Sequence, residues 1–236
     1  MEINRIITDT INSLKEVSSP EREKLSGWYF PTSMDVIGVK SEDLKTIIRD
    51  LRKTLSEYES RKAIELCIEM SACGIFEVQQ VAFGILNRNF NLISQLEQRD
   101  LQLLGSVMDN WASTDSFGVQ VSGPAWRLGV INDREVNEWS VSPDRWWRRI
   151  ALVSTVALNL KSQKGEGDVE RTLMICDTLA ADKDDMVVKA MSWALRELSK
   201  RFPSEVRQFL SDNDDRLASR VKREVTRKLV TGRKNG

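Results

Sequence analysis

Apolar residues recur at intervals of three and four through nearly the whole chain, and the apolar/polar alternation of a half-buried strand is almost absent. Between Met1 and Val17 the positions Ile3, Ile6, Ile7, Ile11 and Leu14 share one helical face, and Ser18-Ser19-Pro20 ends the run. Glu21 to Tyr29 follows as a short charged helix, interrupted by Pro31. Ser41-Glu42-Asp43 reads as an N-cap followed by acids that suit the positive end of a helix dipole. That helix continues through Leu44, Ile47, Ile48, Leu51 and Leu55. The same period predicts helices over 60–72, 75–88, 92–104, 113–130, 133–139, 143–160, 169–181, 184–202, 203–211 and 215–229. In Ser142-Pro143-Asp144 the serine is the expected cap and the proline the first helical residue.

Short polar turns between these helices suggest antiparallel pairs stacked in sequence. No strict repeat is visible, so the expected fold is all-α: a degenerate HEAT-like α-solenoid forming a single domain over residues 1–236, with a compact helical bundle as the alternative. Lys161 to Asp168 is the most flexible-looking segment and reads as a loop between repeats.

Composition narrows the class. Apolar residues make up 41% and charged residues 30% of the chain, which suits a globular protein rather than a disordered one. No apolar run approaches the ~18 residues of a membrane span. The N-terminus lacks a signal-peptide core, so a cytoplasmic protein is expected. There is no histidine. That removes the usual general base near neutral pH, His-metal sites and Ser-His or Cys-His dyads. Cys67, Cys73 and Cys176 have no CxxC spacing and sit in apolar helical patterns, as buried free thiols do. No Gly-rich phosphate loop is present, and neither a metal nor a cofactor is expected. Proton or water chemistry would fall to Asp or Glu.

Lys+Arg and Asp+Glu both number 35, so net charge gives no sign of a nucleic-acid partner. The distribution differs. Acids outnumber bases over the first sixty residues, whereas from Arg216 onward eight basic residues face one acid, Glu224. A basic terminal helix is usually a solvated face. In 184–202, Lys189, Trp193, Arg196 and Lys200 form a stripe beside the apolar face. It suits either a polyanion or a tryptophan bordering the core among snorkelling cations. Arg145, Arg148 and Arg149, beside Trp146 and Trp147, crowd a helix N-terminus where cations are electrostatically misplaced. A bound phosphate would relieve this, as would pairing with Asp133 or Glu135. In Asp109-Asn110-Trp111-Ala112-Ser113-Thr114-Asp115, a helix starting near Ser113 would hold Asp115 in its first turn and leave Trp111 just outside. The pair could hold a cation between a π face and a carboxylate, or be a core tryptophan beside a helix-start acid.

Three segments, Asn110-Trp111-Ala112-Ser113-Thr114-Asp115-Ser116-Phe117, Arg145-Trp146-Trp147-Arg148-Arg149-Ile150-Ala151 and Val188-Lys189-Ala190-Met191-Ser192-Trp193-Ala194-Leu195-Arg196-Glu197, resemble in order the signature segments of AlkD-type DNA alkylation repair proteins. These are HEAT-like helical-repeat DNA glycosylases. The resemblance implies a concave DNA-binding face and excision of cationic N3- or N7-alkylated purines from duplex DNA by a monomer, nucleoid-associated when bound. It implies that Asp115 supports the reaction, that Trp111 and Trp193 flank the lesion's sugar and backbone, and that Arg149 contacts phosphate. Tyr29, nine residues before Gly38, falls where the family often has a backbone-contacting tyrosine. Arg148, Lys189 and Arg196 are further expected DNA contacts.

The chemistry agrees with the residues at hand. A cationic purine is already a good leaving group, so no strong general acid is needed. A carboxylate and indole faces can stabilise an oxocarbenium-like sugar. Some family members carry paired tryptophans and a second acid in the first signature. Here Asn110, Trp111 and Ala112 leave one indole and one carboxylate, which bears on rate and substrate range. Zero net charge suggests modest non-specific DNA affinity with a shallow salt dependence. A non-catalytic binder of damaged or branched DNA and a protein–protein scaffold are the alternatives.

Overall fold

The computed structural model describes residues 2–233, and among these the regular structure is helical, with two isolated β-bridges, Ser18–Val39 and Asp35–Ile75. The helices are α1 (Glu2–Glu16), α2 (Pro20–Tyr29), α3 (Ser41–Leu55), α4 (Ser60–Ala72), α5 (Phe76–Leu86), α6 (Phe90–Ile93), α7 (Gln98–Gly105), α8 (Trp111–Phe117), α9 (Gly123–Arg127), α10 (Asp133–Ser140), α11 (Arg145–Asn159), α12 (Val169–Thr178), α13 (Asp185–Leu198), α14 (Pro203–Asp212) and α15 (Ser219–Thr231). The chain divides into two compact units, one up to Val121 and one from Ser122 onward.

In the first unit α5 is the hub, packing against α1, α3, α4, α6 and α8. Its sequence explains this: Val78, Val81, Ala82, Phe83, Ile85 and Leu86 leave little polar surface on any side, as a helix enclosed by neighbours requires. Gly84 lets α3 approach closely, since a Cβ there would lie 2.4 Å from Ile48 Cδ1. Thus α3, α5 and α8 lie side by side, and α4 packs on α5 and α7.

The second unit repeats the arrangement. From Arg149 to Asn159 every residue of α11 is buried. Helices α9, α11, α13 and α15 pack in succession, while α10 and α12 pack against each other and against α11.

Helix boundaries depart from the apolar period where side chains or ring geometry intervene. The expected helix over 113–130 is α8, a π-helical turn at Gly118–Ser122, and α9. Pro124 has no N–H, and in a regular helix its ring would collide with the carbonyl of Gln120. A widened turn relieves this. The run 92–104 is broken into α6 and α7 because Asp100 accepts the Glu97 N–H at 2.9 Å and is itself gripped by Arg61 at 2.7 and 2.8 Å. Before α11 the cap is Asp144, not Ser142: its Oδ1 accepts the Trp146 N–H at 2.9 Å, and Pro143 lies outside the helix.

The segment 161–168 is a packed loop rather than a loose one. It holds a 3₁₀ turn at Lys161–Gln163, and Arg201 donates to the carbonyls of Gly165, at 2.8 Å, and Glu166. Gly165 lies so close to α11 that a Cβ would sit 2.4 Å from the Leu158 carbonyl oxygen.

The thiols of Cys67 and Cys176 are buried and unlinked, and burial pushes Cys67 up to about 12 and raises Cys176 as well. Cys73 is only half-buried. Among the described residues no acid/thiol cluster could hold a metal, and no helix is long and apolar enough to cross a membrane.

Candidate nucleic-acid interface

Helix α8 begins two residues earlier than its apolar pattern predicts. Asn110 is the N-cap: its Oδ1 accepts the Ser113 N–H at 2.9 Å, and its amide donates to Ser113 Oγ at 3.0 Å. Trp111 is therefore the first helical residue rather than a loop residue, and Asp115 lies one turn on. Positions i and i+4 share a helix face, with Cβ atoms about 5–6 Å apart, so the indole and the carboxylate stand one above the other. Both side chains are half-buried.

The Trp111 ring is held edge-on by Tyr29, with centroids 5.1 Å apart at 80°, and more distantly by Phe30 at 6.4 Å. Its Nε1 faces the Tyr29 carbonyl at 3.4 Å. Tyr29 itself is 65% exposed, so its ring extends an aromatic surface next to Asp115's face of α8. On the far side, Ser116 Oγ donates to Gln80 Oε1 at 2.6 Å, tying α8 to α5.

A tether that the apolar period does not reveal holds these rings together. Asp109 accepts from Thr32 Oγ1 and Ser33 Oγ, both at 2.7 Å, from the Ser33 N–H, and from the Asn110 amide at 2.9 Å. It joins the segment that follows Tyr29 to the start of α8. Burial pushes the Asp109 carboxyl upward, but the Ser33 backbone, Asn110, Thr32 and the Ser33 hydroxyl outweigh it and leave it below the usual value.

A depressed carboxylate contributes stability that is complete above its unfolded pKa, near 3.9, and lost as pH falls through the lower folded value. Asp109→Asn is therefore expected to lower urea-unfolding stability by about 1–2 kcal/mol at pH 7, from weakened charge-assisted hydrogen bonds. That gap should close below pH ~4 as wild type itself protonates. A gap independent of pH would show that the charge is not what holds the tether.

In the second unit, α11 and α13 carry the remaining candidates. Arg145 and Arg148 find acids, but not Asp133 or Glu135. Arg148 pairs with Asp182 at 2.7 Å and donates to the carbonyls of Ser142 and Pro143. Arg145 lies 3.5 Å from Asp184 and its guanidinium covers Trp146 at 4.9 Å. Arg149 is only 5% exposed and donates to the Met186 carbonyl. The three arginines thus embrace the turn that starts α13, where Asp184 caps the Met186 N–H. Asp133 is engaged elsewhere, by Arg171 at 2.7 Å and the Trp126 indole at 2.8 Å.

Trp193 is half-buried on α13. Its companion cations are interleaved with acids rather than forming a purely basic stripe. Lys189 pairs with Asp185 at 2.6 Å and Lys200 with Glu197 at 2.6 Å. Arg196 reaches Ser192 Oγ at 3.2 Å and lies 3.9 Å from Glu224. The Lys189 ammonium holds Asp185 below the usual carboxylate range. Burial lowers Arg196, with Glu224 and Glu197 opposing. The terminal basic residues are also engaged in part: Arg216 with Asp177, Arg220 with Asp185, Lys222 with Asp214.

The sequence matches, over residues 10–229, the family model described as DNA alkylation repair enzyme. The chain belongs to that family, as the AlkD-type resemblance of its three signature segments implies. A solved structure described as a predicted DNA alkylation repair enzyme from Enterococcus faecalis has the same fold, with a TM-score of 0.73 at 16% identity over 91% of this chain and 97% of that one. No curated protein matches this sequence.

Proposed function

We propose that the protein is a DNA glycosylase that removes cationic N3- or N7-alkylated purines from duplex DNA. The observation that carries this reading is the Trp111–Asp115 pair on one face of α8, flanked by the exposed Tyr29 ring, in a DNA alkylation repair chain that has no histidine. The side-by-side rows α3–α5–α8 and α9–α11–α13–α15 support HEAT-like pairing of helices within each unit.

The reaction needs little from the protein beyond charge placement. The glycosidic bond breaks with its electron pair passing to the purine, which cancels the lesion's positive charge. The sugar becomes oxocarbenium-like as it does so. Asp115 stabilises that cation, orients the attacking water and receives its proton, while the indole face of Trp111 adds cation–π attraction of about 0.5–2 kcal/mol. Free base and an abasic site remain. Neutral lesions leave poorly, because a base without a formal positive charge must be protonated before it departs.

In this reading Tyr29 contacts the backbone, and Lys189 and Arg196 meet phosphates by exchanging their present acid partners. That exchange limits non-specific affinity. Arg148 and Arg149 hold the start of α13, and with it Trp193, at the DNA interface. Methylated DNA incubated with the protein is expected to release 7-methylguanine and 3-methyladenine, identified by chromatography, while DNA containing neutral hypoxanthine releases no base. Binding without release at high enzyme concentration would make the protein a non-catalytic DNA binder. Absence of binding at low salt would overturn both readings.

A further inference from the structure

Between α2 and α3 the chain runs through 30–40 without a helix, and three anchors fix its path. Asp35 donates its N–H to the Gly74 carbonyl and accepts the Phe76 N–H on its own carbonyl, both at 2.9 Å. Glu77 accepts the N–H groups of Ile37, Gly38 and Val39. Asp109 holds Thr32 and Ser33. The first two anchors belong to the start of α5. The third adjoins Asn110, the cap of α8, and binds the part of the stretch that follows directly on Tyr29.

The Asp109 anchor works on both sides of the Trp111 ring. Oδ1 accepts from the Thr32 hydroxyl at 2.7 Å and the Asn110 amide at 2.9 Å, and Oδ2 accepts from the Ser33 N–H and from its hydroxyl at 2.7 Å. An ionised carboxylate offers about four such sites and no donor, so it is fully engaged. Asparagine would turn its NH₂ group toward donors on one side or the other. The bond to Asn110 also orients that amide: its Nδ2 points at Asp109, which leaves its Oδ1 to cap the Ser113 N–H at 2.9 Å and start α8 at Trp111. The bonds to Thr32 and Ser33 hold the chain just past Tyr29, whose ring and carbonyl meet the indole at 5.1 Å and 3.4 Å. One carboxylate thus ties the helix that carries Trp111 to the rings that pack against it.

We infer that Asp109 is a positioning residue for base release: it holds Tyr29 edge-on against Trp111 and so fixes the indole face beside Asp115. It acts through Thr32, Ser33 and Asn110 rather than on the sugar. The inference rests on the glycosylase reading. A displacement of about 1 Å at a reacting centre can cost up to ~10²-fold in rate, so a loosened ring is felt in the chemical step. Contacts to the backbone of undamaged duplex do not depend on that register, so affinity for it is left nearly unchanged.

The test compares Asp109→Asn, Thr32→Val/Ser33→Ala and the three substitutions combined, at a temperature where every variant is fully folded. At saturating protein, single-turnover release of 7-methylguanine is expected to fall about fivefold or more in Asp109→Asn, with affinity for undamaged duplex within about twofold of wild type. Thr32→Val/Ser33→Ala should also slow release. The combined variant should be no slower than the slower of the two, because all three groups act through one contact. Amide hydrogen exchange at Ser33 should quicken by about tenfold or more in Asp109→Asn. Release at the wild-type rate, or effects that multiply in the combined variant, would overturn the inference and leave the glycosylase reading intact. Slowed release with unchanged exchange at Ser33 would also overturn it, since Asp109 would then act on the reaction directly. A wild-type protein that binds DNA and releases no alkylpurine would sink the glycosylase reading and the inference with it.

Discussion

Asp115→Asn is expected to lower the single-turnover rate of 7-methylguanine release at least tenfold while leaving affinity for undamaged duplex within about twofold. Asparagine is nearly isosteric, so α8 and its Asn110 cap stay in place. What is lost is the negative charge one turn from Trp111, and hence the stabilisation of a cation that exists only near the transition state. An interaction made only in the transition state appears in the chemical step rather than in binding, and a tenfold loss corresponds to about 1.4 kcal/mol. An unchanged rate would assign the chemistry to another group. A loss of affinity that matches the loss of rate would mean that Asp115 organises the DNA rather than the reaction.

The largest stability effect is expected at Glu77. This carboxylate is 4% exposed in the first turn of α5, and it accepts the backbone N–H groups of Ile37, Gly38 and Val39 at 2.9, 2.8 and 3.3 Å. The turn it holds is strained for anything but glycine: Gly38 has φ +81°, and a Cβ there would lie 2.5 Å from the Glu23 nitrogen. Glu77→Ala leaves three donors without an acceptor in a largely enclosed turn. A loss of about 3 kcal/mol follows, from roughly 1–3 kcal/mol for each truly buried unsatisfied group and less for the partly exposed ones. Glu77→Gln should fall between variant and wild type, since one acceptor oxygen remains. Urea unfolding checks both, and a loss under about 0.5 kcal/mol for alanine would show that water replaces the carboxylate. Because this turn belongs to the segment carrying Thr32 and Ser33, the alanine variant should also loosen the Tyr29–Trp111 contact.

Much of the fold is legible in the chain because one periodic signal dominates it. Helices such as α3, α4, α12 and α13 lie close to where their apolar spacing puts them. The departures cluster where a single polar group decides a boundary. Asn110 starts α8 at Trp111, Asp144 displaces Ser142 as a cap, and Asp100 splits one apolar run into α6 and α7. Pro124 acts through ring geometry, which hydropathy does not register.

The site divides along the same line. Trp111 and Asp115 are visible as a pair because they are neighbours in sequence, and only their helical register is off. The partners of Arg148 are not visible, since Asp182 lies 34 positions away. Nor is the Asp109 tether, whose Thr32 lies 77 positions away in a stretch with no distinguishing pattern.

Cleavage of the glycosidic bond of a cationic purine is the chemistry proposed for this chain. The most direct measurement is a duplex carrying one 7-methylguanine, incubated with excess protein and followed both for free base and for an alkali-labile abasic site in the strand. Both products are expected together in equal amounts. An intact strand with the protein demonstrably bound to it would show that the chain binds the lesion without breaking the bond.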